Sequence, residues 1–143
     1  MEKNKKDLKA LSLVILFLAA LTLVRIVVNV CVNGLPKVEL EGVTPEVTNI
    51  VAIVALALSC VLLLPQVYVG VKGLKIANGG QGNKWHIVIA IILAICSLTA
   101  VVSSAISMFK SFNFDTSLTV VDHFLDVAIF IMYIITARKI AKG

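Results

Sequence analysis

The chain has 143 residues and a formal net charge of +5, and 59% of its residues are hydrophobic while only 15% are charged. Soluble domains are typically about 45–50% apolar and about 25% charged. A chain this short cannot withdraw so much apolar surface from water, because small domains leave a large share of their surface exposed. The composition therefore excludes an ordinary soluble domain and predicts that the chain lies in a lipid bilayer.

Four long apolar segments follow one another along the chain. They lie near Ala10–Val32, Val47–Val71, Trp85–Met108 and Ser117–Ala137. Each has the roughly 20 residues that a helix needs to cross the hydrocarbon core, and none alternates as the strands of a closed barrel do. The sequence predicts a single all-α membrane domain over residues 1–143, a four-transmembrane-helix bundle with an outer loop at 33–46 and a cytoplasmic loop at 72–84.

The basic residues are concentrated at alternate ends of the predicted spans. Four precede the first span, three lie between the second and third, and three follow the fourth: Lys3, Lys5, Lys6, Lys9, Lys72, Lys75, Lys84, Arg138, Lys139 and Lys142. By the positive-inside rule, this predicts cytoplasmic N and C termini. Basic residues beside a membrane set topology or meet anionic lipid headgroups, so we expect no nucleic acid partner. The short chain and its lysine-rich ends favour the bacterial cytoplasmic membrane.

Charged residues inside two of the spans are the main functional signal. In the first span, Thr22, Arg25 and Asn29 are spaced by three and four residues, so they share one helix face. In the fourth span, Asp122 and Asp126 also share a face, and they lie at roughly the same depth as Arg25. Intramembrane charges are costly and usually paired.

The matching depths predict a buried ion-pair cluster in the outer half of the bundle. Arg25 is expected to pair with Asp122 or Asp126, with Asn29 and His123 nearby. Adjacent helix residues point in different directions, so His123 is expected to point about 100° away from Asp122.

Three interpretations of this cluster are open. A structural or accessory subunit would use the cluster to hold helices together, as a small partner in a larger membrane complex. A transporter or channel would use it to bind a small ion or solute in an outward-facing pocket, because two neighbouring carboxylates repel one another and one can take up a proton or cation. Four short helices enclose little space, so such a carrier would act as a homo-oligomer. An enzyme would need an acid–base pair, and Asp122 and His123 do not face each other. The sequence favours the accessory subunit and indicates no catalytic residue, cofactor or metal site.

Packing between the helices is predicted from small residues. The third span carries a stripe of small side chains at helical spacing, formed by Ala90, Ala94, Ser97 and Ser104. Such stripes let membrane helices approach closely, so we expect this span to be the most tightly packed. In the second span, Pro65 predicts a kink, since proline lacks the N–H that the helix needs.

Overall fold

The computed structural model describes residues 2–35, 44–110 and 114–142. Within these residues all regular structure is α-helical, and the four helices are α1 (Glu2–Asn33), α2 (Pro45–Ala77), α3 (Trp85–Lys110) and α4 (Phe114–Lys142). The prediction of four apolar helices is confirmed, since each is long and apolar enough to cross a membrane. The predicted outer loop, 33–46, lies largely outside the described residues.

The helices extend beyond the predicted spans, chiefly at the end that carries the basic residues. There α1 begins at Glu2, α2 continues to Ala77 and α4 continues to Lys142. The added turns are rich in lysine, which is a good helix former. The second helix stops where Gly79 adopts a φ of +89°, the left-handed conformation that commonly ends a helix. The loop predicted at 72–84 is therefore shorter in the structure, with only residues 78–84 outside the helices.

The start of α2 follows ordinary helix-start chemistry. Thr44 precedes it with extended backbone angles, φ −68° and ψ 151°, and Pro45 takes the first helical position. Proline fits there because the first N–H groups of a helix have no intrahelical acceptor. Pro65 lies inside α2, which continues without a break, so the kink at Pro65 stays a prediction.

The helices pack as two hairpins, α1 with α2 and α3 with α4, which meet through α1 against α4 and α2 against α3. The core lies at the end where the basic residues are found, and we call this the basic end. Its buried hydrophobic residues are Leu8, Ile15, Val69, Ile87, Ala90, Phe130, Tyr133 and Ala137. Beyond the level of Ala19 and Val127, the only buried side chain among the described residues is that of Ala52.

Four residues, one from each helix, meet within this core, and we call Ser12, Gly73, His86 and Tyr133 the basal cluster. A Cβ added to Gly73 would lie 2.7 Å from Cε2 and 2.8 Å from Oη of Tyr133, and it would also overlap Oγ of Ser12. The His86 ring meets the Tyr133 ring edge-on, with centroids 6.1 Å apart. The absence of a side chain at Gly73 therefore allows α1, α2 and α4 to converge.

The prediction that α3 is the most tightly packed helix is wrong. Of its small-residue stripe, Ala90 is buried, whereas Ala94, Ser97 and Ser104 are only partly covered. The most apolar stretches of α1 and α4 bury a larger share of their residues than that of α3 does. Small residues permit close approach, but they do not determine which neighbour approaches.

Large apolar side chains are exposed along all four helices. Soluble proteins rarely leave such extended apolar surfaces in contact with water. Lipid tails accept these surfaces without penalty, so the fold supports a small membrane protein.

Candidate functional site

The first part of the candidate site is a polar face in the C-terminal half of α1. Thr22 donates from Oγ1 to the carbonyl of Leu18 at 2.9 Å, which satisfies its hydroxyl within the helix. Arg25 follows one turn later and has no such local partner. Its guanidinium can therefore reach across to another helix.

An ion pair joins this face to α4. Nη1 of Arg25 lies 3.7 Å from Oδ2 of Asp122, and the two side chains are 76% and 57% exposed. The pairing of α1 with α4 at this depth agrees with the prediction, and Asp122 is the aspartate that Arg25 selects. The prediction that the pair is buried is wrong for the chain taken alone. The core ends near Ala19 and Val127, so no helix of this chain covers the pair.

The second aspartate lies in a groove between the same two helices. Asp126 is partly buried, and it lines a groove of about 310 Å³ together with Leu18, Leu21, Thr22, Arg25 and Asp122. Within the described part of the chain, the Asp126 carboxylate makes neither a hydrogen bond nor an ion pair. We call this space the α1/α4 groove. It holds one cation and two carboxylates, so a further donor or cation would be attracted to it.

Asn29 and His123 are not brought to the carboxylates. The side chain of Asn29 accepts a hydrogen bond from Nδ2 of Asn33 at 2.6 Å, and Asn29 lines a neighbouring groove along α1 that shares Arg25 with the α1/α4 groove. His123 is partly buried and does not line the α1/α4 groove. Its direction on the helix explains this, since neighbouring residues of a helix point about 100° apart. The sequence therefore identified three of the groove's polar residues, and two of its five candidates lie outside it.

The depth of the groove determines its chemistry. Arg25 lies eight residues before the end of α1 at Asn33, or roughly 12 Å along the helix axis. At this depth the groove can accept a proton, a small cation, or hydrogen-bond donors from another helix. Among the described residues, no three His, Cys, Asp or Glu side chains are grouped to hold a metal ion.

Sequence reasoning missed the basal cluster. Tyr133 donates its hydroxyl to the carbonyl of Val69 at 3.1 Å, and Ser12 donates to the carbonyl of Leu8 at 2.7 Å. A tyrosine within an apolar helix, and glycines at positions 70 and 73, were the available signals. Both hydroxyl groups are thus satisfied by backbone carbonyls, which indicates a role in packing rather than in binding.

Comparison of the chain with family models, curated proteins and solved structures finds no match in any of the three. The arguments for a function therefore come from the residues and their geometry.

Proposed function

We propose that the chain is an integral subunit of the bacterial cytoplasmic membrane that binds another membrane protein through its α1/α4 groove. The partner is a second copy or a component of a larger complex. The subunit has no catalytic activity and no cofactor of its own. Both termini and residues 78–84 face the cytoplasm, because the basic end carries ten of the thirteen lysine and arginine residues.

The observation that carries this proposal is the exposure of the Arg25–Asp122 pair at the level of the hydrocarbon core. An arginine or aspartate at the centre of a membrane helix disfavours insertion by about 2.5–3.5 kcal/mol. In an isolated chain this pair would face lipid, with both side chains more than half exposed. A polar helix of a partner would cover the pair and complete its hydrogen bonds. Such interhelical contacts typically contribute about 0.6 kcal/mol each, and up to about 1.7.

A second candidate function uses the same groove to bind a small cation or protonated amine. The Asp126 carboxylate supports it, because this group lines an open groove and lacks a hydrogen-bond donor among the described residues. Four short helices enclose little volume, so a carrier of this size would act as an oligomer. Binding would then begin from the side opposite the basic end.

The two functions are separated by variants that remove one charge each: Arg25→Gln, Asp122→Asn and Asp126→Asn. The full chain is extracted with its surrounding lipid. The mass of the extracted particle, which reports its subunit composition, and its thermal unfolding midpoint are measured. A subunit interface predicts loss of the higher-mass species with little change in the unfolding midpoint, since the paired side chains are exposed. Lys110→Gln is the matched control, because it removes an exposed charge outside the groove.

Other outcomes would assign the cluster differently. A lower unfolding midpoint with no change in the mass of the extracted particle would show that the ion pair stabilises a single chain. That result would contradict the interface. Stabilisation of the wild type by Na⁺, K⁺ or a small amine, lost in Asp126→Asn, would establish the second candidate.

A further inference from the structure

A second groove lies at the basic end, between the start of α3 and the end of α4. Its volume is about 370 Å³. Three cationic side chains line it, Lys84, Arg138 and Lys142, together with a wall of apolar side chains that includes Ile87, Val88 and Ile91. We call it the basic groove. It shares no residue with the α1/α4 groove.

The three cations are arranged to act together. Arg138 and Lys142 are four residues apart on α4, so they share a face. Lys84, the residue that immediately precedes α3, lines the groove from the other side. Within the part of the chain that the structure describes, none of the three forms an ion pair. Three like charges around one groove repel one another, and an anion placed among them would relieve that repulsion.

The N-terminus of α3, beside the groove, also favours an anionic ligand. Lys84, Ile87 and Val88 all line the groove, so the first turn of α3 lies beside it. The unpaired N–H groups and the dipole of a helix start favour anions, phosphate groups above all. The exposed ring of Trp85 marks the same level, since tryptophan is enriched where a membrane meets water.

The apolar wall distinguishes a lipid from a free anion. Ile87, Val88 and Ile91 follow α3 from the cationic residues towards the middle of the helix. A ligand that fills the groove therefore carries a negative charge at one end and hydrocarbon at the other. Basic pockets between membrane helices on the cytoplasmic side bind anionic headgroups in this manner.

We propose that the basic groove binds an anionic phospholipid, with its phosphate among Lys84, Arg138 and Lys142 and an acyl chain along Val88 and Ile91. This inference rests on the membrane placement and orientation in the proposed function. It does not depend on what covers the α1/α4 groove.

The test compares two triple variants of the full chain. One neutralises the groove, Lys84→Gln/Arg138→Gln/Lys142→Gln, and the matched control is Lys6→Gln/Lys9→Gln/Lys139→Gln, which removes the same charge from the same end outside the groove. Binding is measured by native mass spectrometry and thermal shift after reconstitution with phosphatidylglycerol or phosphatidylcholine. We expect wild type and control to prefer phosphatidylglycerol, and the groove variant to bind it about tenfold more weakly or worse, because each lysine or arginine near the surface adds to the attraction.

Three results would overturn the proposal. They are an equal loss in both triple variants, no preference of the wild type for phosphatidylglycerol, and stabilisation by inorganic phosphate alone that equals the lipid effect. Val88→Ser tests the apolar wall of the groove. It should weaken lipid binding while leaving any response to phosphate unchanged. Equal unfolding midpoints of the two triple variants in phosphatidylcholine check that both are folded. Arg25→Gln should retain lipid binding even if the proposed subunit interface does not exist. A chain that does not insert into the membrane would show neither lipid binding nor subunit association.

Discussion

At the scale of single residues, Gly73 has the most constrained surroundings. The backbone of α2 passes so close to Ser12 and Tyr133 that an added methyl group has no free space. Gly70, one turn earlier, is also enclosed, but its nearest neighbour is the side chain of Leu16, at 2.6 Å from an added Cβ. A leucine side chain can shift, whereas the Tyr133 ring is fully buried and cannot easily move.

Gly73→Ala is therefore expected to lower the free energy of unfolding by about 1–3 kcal/mol, the usual range for overpacking. Gly70→Ala should have a smaller effect, because Leu16 can move aside. Adding Ser12→Ala to Gly73→Ala should restore part of the loss by removing one overlapping atom. Denaturation of the reconstituted chain measures all three. A stable Gly73→Ala variant would show that α1, α2 and α4 are farther apart than described.

The residue scale also shows what a sequence can predict of a site. The sequence could place Arg25 opposite the two aspartates, because the length of an apolar span determines the depth of each residue within it, but it left open whether Asp122 or Asp126 is the partner. The exposure of the pair was not predictable, because it depends on where the core ends. The position of Asn29 relative to the carboxylates depends on how α1 and α4 are rotated about their axes, whereas the direction of His123 follows from helix geometry alone. The sequence does not state that rotation.

At the scale of helices, the basal cluster joins α4 to α2 through one hydrogen bond between distant residues. The hydroxyl of Tyr133 donates to the carbonyl of Val69, and both residues are fully buried. The other tyrosine, Tyr68, differs in this respect. Its ring lies beneath the ammonium group of Lys72, with Nζ 5.7 Å from the ring centre.

Tyr133→Phe should reduce the free energy of unfolding by about 0.5–1.5 kcal/mol, the net contribution of a typical hydrogen bond. Tyr68→Phe is the matched control, because among the described residues its hydroxyl makes no hydrogen bond and its ring stays in place. Both variants are compared with wild type by thermal unfolding in the same lipid. Equal losses for the two tyrosines would contradict the assigned bond.

The helices themselves followed from the sequence more directly than their contacts did. The four long apolar runs predicted the four helices, and the second run, which begins near Val47, lies just after the observed start of α2 at Pro45. The extra turns at the basic end were missed because the spans were predicted from apolar runs, and these runs stop at the first lysine. Lysine is a good helix former, so the helix itself continues past that point. The small residues of α3 misled the packing prediction, since Ala94, Ser97 and Ser104 are only partly covered by the other helices.

At the scale of the whole molecule, the two ends differ in packing as well as in charge. The basic end contains almost all of the buried residues, whereas the opposite end contains the exposed ion pair and the α1/α4 groove. The proposed orientation places that groove on the outer side of the membrane. Native cysteines allow this orientation to be tested without new labelling sites.

Cys31 is exposed near the end of α1, whereas Cys60 and Cys96 lie well inside α2 and α3. In intact cells, a membrane-impermeant maleimide should label wild type, and Cys31→Ser should abolish that labelling. The physical reason is that thiols within the hydrocarbon core are shielded from a charged reagent. Labelling of Cys31 only after the cells are opened would reverse the orientation and place the basic groove outside.

The basal cluster also constrains when the molecule can complete its fold. Ser12 is translated long before Tyr133, yet the two meet at Gly73. In the proposed membrane placement, α1 therefore remains in the bilayer during synthesis as a nascent helix that lacks its final neighbour. Its most apolar 18-residue stretch has a mean hydropathy of 2.7, which favours a stable position in lipid before α4 is made. Helix insertion and helix association are thus separate in time, and the final assembly step belongs to α4.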